Sequence, residues 1–348
     1  LTGLEQLTGL ETLNISHTHI TDISVLGSLT NLTTVNIDNL LLPLQQVEDL
    51  TARAGMTVEG VPAIAIADLT FVDANLQLCV NTEAATHGYQ LVSDMTNLSC
   101  RQMGIATLTD ITLLTELQEV DFSNNVGSGE LNTISDFSLL ADLTDIRKIH
   151  AWEVGFDDND FSAFTNHATV EYFAIGGNVM TTIAPAVTMA NLVGLHLWND
   201  LEGVTFELSV LKDLAHFTDL ALGTQQISNI NDLSLLSLDR LWLNGDLDDA
   251  EFNMVLSLPP LEQLSLGWNS YLDNTKLEQV VNAFPELTSL GISGSQVTDL
   301  TSLFSLVNLQ QLDIDGLAVS QESIDILIGR GVNVEGVIST LSSSYFER

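Results

Sequence analysis

Side chains that could perform chemistry are present in this chain, but their spacing matches no catalytic or metal-binding motif. The sequence lacks the GxSxG nucleophile elbow, the phosphate-binding P-loop, the dinucleotide-binding glycine pattern, the HExxH zinc motif and the CxxC redox motif. Its histidines do not lie at metal-ligand spacing on one local element; they are His17, His19, His87, His150, His167, His196 and His216. The sequence therefore predicts a protein that is not an enzyme and that carries no cofactor.

Two acidic runs offer carboxylate oxygens, the ligands that calcium prefers. One is Asp157–Asp160 (DDND), and the other comprises Asp246, Asp248, Asp249 and Glu251. Neither run matches the EF-hand loop pattern, and charge runs are usually solvated loops. We favour solvated loops, with calcium binding at these positions as the open alternative.

Composition and charge exclude several classes of protein. The 348 residues are 45% hydrophobic, which is ample for a packed core. The 46 acidic residues outnumber the 9 Lys and Arg residues and give a net charge of −37. Such a charge works against sequence-independent binding of nucleic acid or anionic lipid. No run of 18 apolar residues occurs, so we expect no membrane insertion.

A short apolar unit, LxxLxL, recurs along nearly the whole chain. Its second Leu slot is filled by Leu13, Val35, Leu98, Val120, Ile149, Phe173, Leu195, Leu220, Leu241, Leu264, Leu290 and Leu312. Most steps between these positions are 21 to 26 residues, an interval typical of leucine-rich repeats. One unit cannot bury its own apolar side, so the units must stack. The sequence predicts an α/β solenoid, a curved array with one parallel sheet on its concave face and an irregular or 3-10 convex side.

The 22-residue form of this unit carries a second apolar clamp, ITDI at 20–23 and VTDL at 297–300. In this it resembles the bacterial leucine-rich repeats of the internalin type, over nearly the whole chain. The resemblance implies the solenoid fold and a role in recognition or adhesion. Members usually carry Asn just after the strand, and Asn125, Asn178 and Asn269 occupy that slot here. In other units the slot departs from the family pattern, to Thr18, Met103, Asp200, Gln225, Asp246 and Ser295.

The repeats recur on a second, longer scale. Residues 31–61 match 308–337 with a one-residue deletion, and Gly60 lies 276 residues before Gly336. We therefore interpret the chain as part of a longer tandem protein. The predicted regions are the last repeats and closing helix of a preceding module (1–60), a linker and N-terminal cap (61–97), a second module with its closing helix (98–336), and the start of a linker to a further module (337–348).

The region between the modules resembles the N-terminal caps of bacterial secreted leucine-rich proteins, through the pattern FxDxxLxxCV followed by LxC. A cap would cover the open edge of the first strand. The only cysteines, Cys79 and Cys100, stand at the two ends of this motif. A disulfide between them would close a loop of about 20 residues and contribute ~3 kcal/mol; two buried free thiols are the alternative. A bonded pair would imply an oxidising compartment, and hence a secreted or cell-surface protein.

Strand positions that face away from the core identify the candidate site. In xLxLx the apolar pair faces the core, so the three x positions face the concave, solvent side. From Lys148 to Asn244, the fifteen outward positions include one acid, Asp219, although the chain is otherwise heavily acidic. Three of the four tryptophans and Tyr172 lie among them, and Trp268 falls just past its strand on the same face. Every tryptophan is therefore predicted to lie on or beside one surface.

This surface is the predicted ligand site. Its candidate residues are Lys148, His150, Trp152, Tyr172, His196, Trp198, Arg240, Trp242, Asn244 and Trp268. Trp152 and Trp198 share one row with Gly176 between them, so we expect the indoles to stand roughly 10 Å apart and to leave a slot. Such aromatic shelves suit a sugar ring or an extended chain, with hydrogen bonds from the histidines, Arg240 and Asn244. The alternative is that the aromatic side chains only pack against one another or against another chain.

The sequence thus predicts a non-enzymatic bacterial recognition or adhesion module, secreted or on the cell surface, that binds a glycan or a protein through its concave face. Other copies of the chain are further candidate partners. The second hypothesis is a structural stalk or filament built of tandem modules. A hydrolase that uses a pair of acids is the third and least favoured hypothesis.

Overall fold

The structure is a computed structural model that describes residues 1, 3–60, 62–124, 129–198 and 203–336. The chain forms two compact units. The first unit comprises Leu1–Asp121 and Gly129–Ile146, and the second comprises Phe122–Ser128 and Arg147–Arg348. The predicted linker at 337–348 lies outside the described residues. The predicted module boundaries at 60–61 and 97–98 stay predictions.

The first unit contains short parallel strands separated by helical return segments. Its strands are β1 (Thr12–Asn14), β2 (Thr34–Asn36), β3 (Thr57–Glu59), β4 (Asn97–Ser99) and β5 (Glu119–Asp121), and its α-helices are α1 (Leu44–Thr51) and α2 (Ala74–His87). Strands β1, β2 and β3 form one parallel sheet, in which Leu13 pairs with Val35 and Val35 with Val58. Strand β4 pairs with β5 in parallel, Leu98 opposite Val120.

Helix α2 lies within the segment predicted as a linker and cap (61–97) and precedes strand β4. The Asp73 side chain begins the helix by accepting hydrogen bonds from the backbone N–H groups of Asn75 and Leu76. The helix ends at Gly88, whose φ of +75° is the left-handed conformation that glycine adopts at little cost. A disulfide joins Cys79 in α2 to Cys100, which directly follows β4. The predicted pairing is therefore present, and it ties the helix to the strand.

In its described residues, the second unit contains nine consecutive strands, and each is parallel to the next. They are β6 (Lys148–His150), β7 (Tyr172–Ala174), β8 (Gly194–His196), β9 (Asp219–Gly223), β10 (Arg240–Asn244), β11 (Gln263–Ser265), β12 (Ser289–Gly291), β13 (Gln311–Asp313) and β14 (Asn333–Glu335). The central apolar residues Ile149, Phe173 and Leu195 lie opposite one another and are fully buried. The parallel sheet and the helical return segments confirm the predicted α/β solenoid class.

Several return segments differ from the predicted irregular or 3-10 side, because they are α-helical. In the second unit these helices are α3 (Asp158–Ala163), α4 (Asp249–Leu256), α5 (Asn274–Ala283) and α6 (Gln321–Gly329). Side chains of Asp157, Asp248 and Asp273 accept hydrogen bonds from the first backbone N–H groups of α3, α4 and α5. A capping carboxylate satisfies donors that a helix start leaves without partners. Periodicity did not reveal α3, α4 and α5, since each spans only two or three turns, whereas α6 lies where the sequence predicts the closing helix of the second module.

The asparagine predicted to tie down the turns does so at Asn178. Its Nδ2 donates to the carbonyl oxygen of Ala151 at 2.6 Å, and its Oδ1 accepts from the backbone N–H groups of Val154, Gly155 and Phe156. Asn125, the first of the three predicted asparagines, lies outside the described residues.

Asn132 makes contacts of the same kind with the turn that follows strand β4. Asn132 donates to the carbonyl oxygen of Cys100 and accepts from the backbone N–H groups of Met103 and Ile105. Asn132 therefore ties down the turn after β4 as Asn178 ties down the turn after β6, although Asn132 is not in the slot just after a strand.

The longer repeat is visible in matching contacts. Arg53 donates to the carbonyl oxygens of Leu26 and Leu29, and Arg330 donates to those of Phe304 and Leu306. Each arginine follows the last α-helix of its stretch, so the two matched segments end in the same way.

Both matched segments, 31–61 and 308–337, carry a glycine at the same place, Gly60 and Gly336, because the backbone there leaves no room for a side chain. Their φ values are +81° and +77°, and a Cβ atom on either would overlap the backbone of Asp38 or Asp315, respectively. Only glycine fits a left-handed position with so close a neighbour.

Candidate functional site

We define the outer face of the second unit as the side of strands β6 to β10 opposite the buried apolar residues. Its middle row is His150, Ala174, His196, Ala221 and Trp242, each paired with the next across neighbouring strands. The first row is Lys148, Tyr172, Gly194, Asp219 and Arg240. This register agrees with the rows predicted from the sequence.

The third row holds the residues just past the shorter strands. Glu153 donates its backbone N–H to the carbonyl oxygen of Gly176 at 3.0 Å, and the Gly177 N–H donates to that of Trp198. Asn244 pairs with Gly223 at the end of the same row. Trp152, Gly176 and Trp198 therefore follow one another across three strands, as the sequence predicts.

The predicted slot between Trp152 and Trp198 is absent in the structure. Their ring centroids lie 5.1 Å apart, with the planes inclined by 40°, and the roughly 10 Å expected from strand spacing is wrong. The Trp152 ring leans over Gly176, where a Cβ atom would overlap it. The glycine thus accommodates an indole of this chain.

Ring contacts continue from Trp198 across the next strands. Trp198 and Trp242 stack with centroids 6.0 Å apart and planes 16° from parallel. His196 lies 5.3 Å from Trp242 and 5.0 Å from Tyr172, and His150 lies 5.7 Å from Tyr172. We call this set the aromatic cluster: His150, Trp152, Tyr172, His196, Trp198 and Trp242.

A chain of polar contacts across four strands links two members of the aromatic cluster, Tyr172 and His196, to Asp219 and Arg240. The Tyr172 hydroxyl lies 2.7 Å from His196 Nδ1, and His196 Nε2 lies 2.9 Å from Asp219 Oδ1. Arg240 NH1 lies 3.4 Å from Asp219 Oδ2. A neutral His196 satisfies all these groups when Nε2–H donates to the carboxylate and Tyr172 donates to Nδ1.

Burial shapes the electrostatics of this polar chain. Only 7% of His196 and 6% of Asp219 is exposed. Burial raises the pKa of Tyr172 well above its usual range and is the largest cause of the shift. The negative charge of Asp219 raises this pKa further, while the positive charge of Arg240 lowers it. Tyr172 therefore stays protonated at physiological pH and serves as a hydrogen-bond donor.

These contacts favour binding over catalysis at the outer face. Both ring nitrogens of His196 are within hydrogen-bonding distance of protein groups, and stacked rings lie beside it. A general base must reach the proton that it abstracts, and this buried histidine offers no open nitrogen. The aromatic faces and the half-exposed Arg240 remain the groups that a ligand can contact.

Trp268 lies apart from the aromatic cluster. Within the described ranges it makes no ring contact with the other three tryptophans, and its ring lies over Gly294, the equivalent position of the next strand. It is 63% exposed. Asn244 lies near Gly267, where a Cβ atom would be 3.2 Å from the Asn244 Oδ1. Lys148 is an exposed residue at the β6 edge of the first row.

Asp219 is a residue of this face that the predicted set omitted. Its carboxylate holds His196 through one oxygen and Arg240 through the other. The signal that could have identified it was present in the sequence, because Asp219 is the one acid among the fifteen outward positions. Asp219 therefore positions two of the predicted ligand-binding side chains.

The acidic runs serve the helices and turns next to them. Asp158 accepts hydrogen bonds from the backbone N–H groups of Thr181 and Thr182, and Asp246 accepts from the backbone and hydroxyl of Ser270. The Ser270 side chain, and then its backbone N–H, lower the pKa of Asp246. In the part of the chain that the structure describes, no three His, Cys, Asp or Glu side chains are grouped to hold a metal ion. Asp158 and Asp246 therefore stabilise turns of the neighbouring repeats, and calcium binding at the two runs stays a prediction.

Comparisons with known proteins agree with the repeat pattern. Residues 8–52 match the family model described as leucine-rich repeats (2 copies). No curated protein matches the chain significantly. Within the described ranges, no helix has the length and apolar character needed to cross a membrane.

Three solved structures illustrate what the chain is similar to. An internalin from Listeria monocytogenes is 17% identical, with 95% of this chain and 81% of that one covered and a TM-score of 0.41. An internalin C2 from the same species is 18% identical, with coverages of 74% and 96% and a TM-score of 0.37. A leucine-rich-repeat protein from Leptospira interrogans is 14% identical, with coverages of 96% and 98% and a TM-score of 0.34.

These TM-scores are below 0.5, so the class of the protein rests on its own strand register and on the family match at 8–52. Residues 8–52 match the leucine-rich-repeat family model, and the strands of the second unit stack in parallel as the units of such a repeat do. Stacked repeats of this kind form a module with an extended sheet face suited to binding.

Proposed function

We propose that this chain is an extracellular recognition or adhesion module of bacterial origin, and that its outer face binds a glycan or a protein without covalent chemistry. The observation that carries the proposal is the contiguous ring cluster of Trp152, Trp198 and Trp242 on a solvent-facing sheet. Large aromatic patches on a protein surface usually mark interaction sites.

The main alternative is that these rings only pack against one another. Such ring contacts are present between Trp152 and Trp198 and between Trp198 and Trp242. Each of the three indoles nevertheless remains only partly buried, so their outer parts contact solvent. Indoles offer a broad apolar surface together with one N–H donor, which suits the apolar face of a sugar ring or an extended peptide. Neighbouring donors of Arg240 and Asn244 would orient such a ligand.

The disulfide supports the extracellular part of the proposal. Both cysteines of the chain are joined in it, and disulfides persist mainly in oxidising compartments outside the cytosol. The net charge of −37 keeps such a surface dispersed, which suits a protein exported into a saline medium.

The deciding experiment is the double substitution Trp152→Ala and Trp198→Ala. Wild type and variant are screened on a glycan array and in pull-downs of surface proteins, and their unfolding is followed in urea. We expect capture to be lost while unfolding changes little, because these side chains lie outside the core. Tyr89→Ala is the matched control, since Tyr89 stacks on His87 in the first unit and does not belong to the outer face. Capture that persists alongside a large loss of stability would contradict the proposal and assign the rings to sheet packing.

A further inference from the structure

We propose that the ligand of the outer face is a carboxylate-bearing sugar, an inference that rests on the proposed function and narrows its ligand class. The ring surface of Trp198 and Trp242 would contact the sugar, and the Arg240 guanidinium would bind the carboxylate. Arg240 and Trp242 lie two residues apart on one strand and point to the same side, about 7 Å apart along the backbone.

The charge of the outer face carries the first step. Lys148 and Arg240 are its two bases, and Asp219 is its one acid. Asp219 is 6% exposed, and its two oxygens contact His196 and Arg240. The fifteen outward positions from Lys148 to Asn244 therefore present positive charge and no solvent-exposed carboxylate, whereas the chain as a whole is strongly acidic.

The geometry of Arg240 carries the second step. Its side chain is half exposed, and only NH1 approaches Asp219, at 3.4 Å. A guanidinium has five N–H donors in a planar fork that matches a carboxylate. One long contact leaves donors directed at solvent, where a second carboxylate can bind through two parallel hydrogen bonds.

The indole nitrogen of Trp198 carries the third step. Nε1 is buried and has no hydrogen-bond partner among the described residues. Buried donors normally have an acceptor, so the packed arrangement of this ring is incompletely satisfied. A modest turn of the ring would bring the N–H to a sugar oxygen and supply that acceptor.

Repulsion from the remaining acidic surface limits the size of the ligand. At physiological ionic strength charges are screened over about 8 Å, so a short sugar on the outer face feels mainly Arg240 and its neighbours. A long polyanion would extend over acidic surface and be repelled. The geometry therefore favours a short oligosaccharide over a long polyanion.

The test uses trigalacturonate and its neutral methyl ester as probes, with binding to the full chain measured by calorimetry in about 0.15 M salt. We expect wild type to bind the acid about tenfold more tightly than the ester. Arg240→Gln should remove this preference, whereas Lys212→Gln, which removes an exposed base outside the face, should keep it. Arg240→Lys retains the charge without the planar fork and should lose most of the preference for the acid over the ester. This variant provides the test if Arg240→Gln fails to fold.

Equal binding of acid and ester by wild type would overturn the carboxylate inference. If the double tryptophan variant then lost both probes, the proposed function would stand without it. A wild type that binds neither probe also overturns the inference, and the proposed function falls only if array and pull-down capture are absent as well. An unchanged preference in both Arg240 variants would overturn the assigned role of Arg240.

Discussion

His196 and Asp219 form a buried pair on the outer face of the sheet, with Nε2 2.9 Å from Oδ1. The pair lies between Tyr172 on one neighbouring strand and Arg240 on another. Through its contact with Trp242, His196 also holds part of the aromatic cluster in place. Polar contacts therefore position the aromatic surface, although sequence reasoning assigned His196 to the ligand.

Asp219→Asn should destabilise the protein by about 2 kcal/mol, because the charge-assisted bonds of the carboxylate are replaced by weaker ones. Urea unfolding at neutral pH measures the change. Asp213→Asn, at an exposed acid, is the control and should leave the free energy of unfolding nearly unchanged. Equal stabilities of the two variants would show that the buried pair contributes nothing.

Gly176→Ala should displace the Trp152 ring, because the added methyl group would occupy the space that the indole fills. We expect a changed tryptophan fluorescence spectrum as Trp152 moves from Trp198. Gly27→Ala is the control, since a Cβ atom there meets nothing within 4 Å. An unchanged spectrum in Gly176→Ala would mean that the close approach of the two indoles does not depend on the glycine.

The register, the core and the cysteine pair could be predicted because they follow from apolar spacing and from the cap pattern along the chain. Ile149, Phe173 and Leu195 occupy the expected buried column. The spacing of the Trp152 and Trp198 rings could not be predicted from the sequence. Strand geometry fixes the position of each Cβ atom, but neighbouring side chains determine the orientation of the indole. Asn132 was missed because it lies outside the slot just after a strand, which is the only place where the repeat pattern marks a turn-forming asparagine.

Asp73→Asn should destabilise the first unit by about 1 kcal/mol at neutral pH, because the amide keeps one acceptor oxygen and loses the bonds that the other accepts from the N–H groups of Ala106 and Thr107. Burial raises the pKa of Asp73, but bonds from the backbone N–H groups of Ala106, Leu76, Thr107 and Asn75 outweigh it and lower the pKa overall. The folded pKa therefore lies below the unfolded value of about 3.9. The carboxylate stabilises the fold above that value, and this contribution is lost as pH falls through the folded pKa.

The measurement for Asp73 is the difference in unfolding free energy between wild type and variant as a function of pH. The difference should be constant near neutrality and shrink below about pH 4. Asp68→Asn, at an exposed acid in the same unit, should show little difference at any pH. A gap that widened on acidification would have the wrong sign for a carboxylate with a lowered pKa.

Trp268→Gly should leave stability unchanged or raise it, although it removes a large side chain. Trp268 has a φ of +58°, and Gly245, Gly294 and Gly316 occupy the equivalent left-handed position after neighbouring strands. This conformation costs a bulky residue about 1 kcal/mol, and a side chain that is 63% exposed gains little from burial. Trp268→Ala is the matched control, because alanine keeps the backbone penalty and should be less stable than glycine by about 1 kcal/mol.

Urea unfolding of the two Trp268 variants separates the backbone cost from the loss of the side chain. Both variants should bind ligand more weakly if Trp268 contributes to the outer face, because both remove the indole. Equal stability of the alanine and glycine variants would show that the left-handed backbone places no cost on this position. A tryptophan at a position where neighbouring repeats carry glycine would then cost no stability. Its presence there would need no functional explanation.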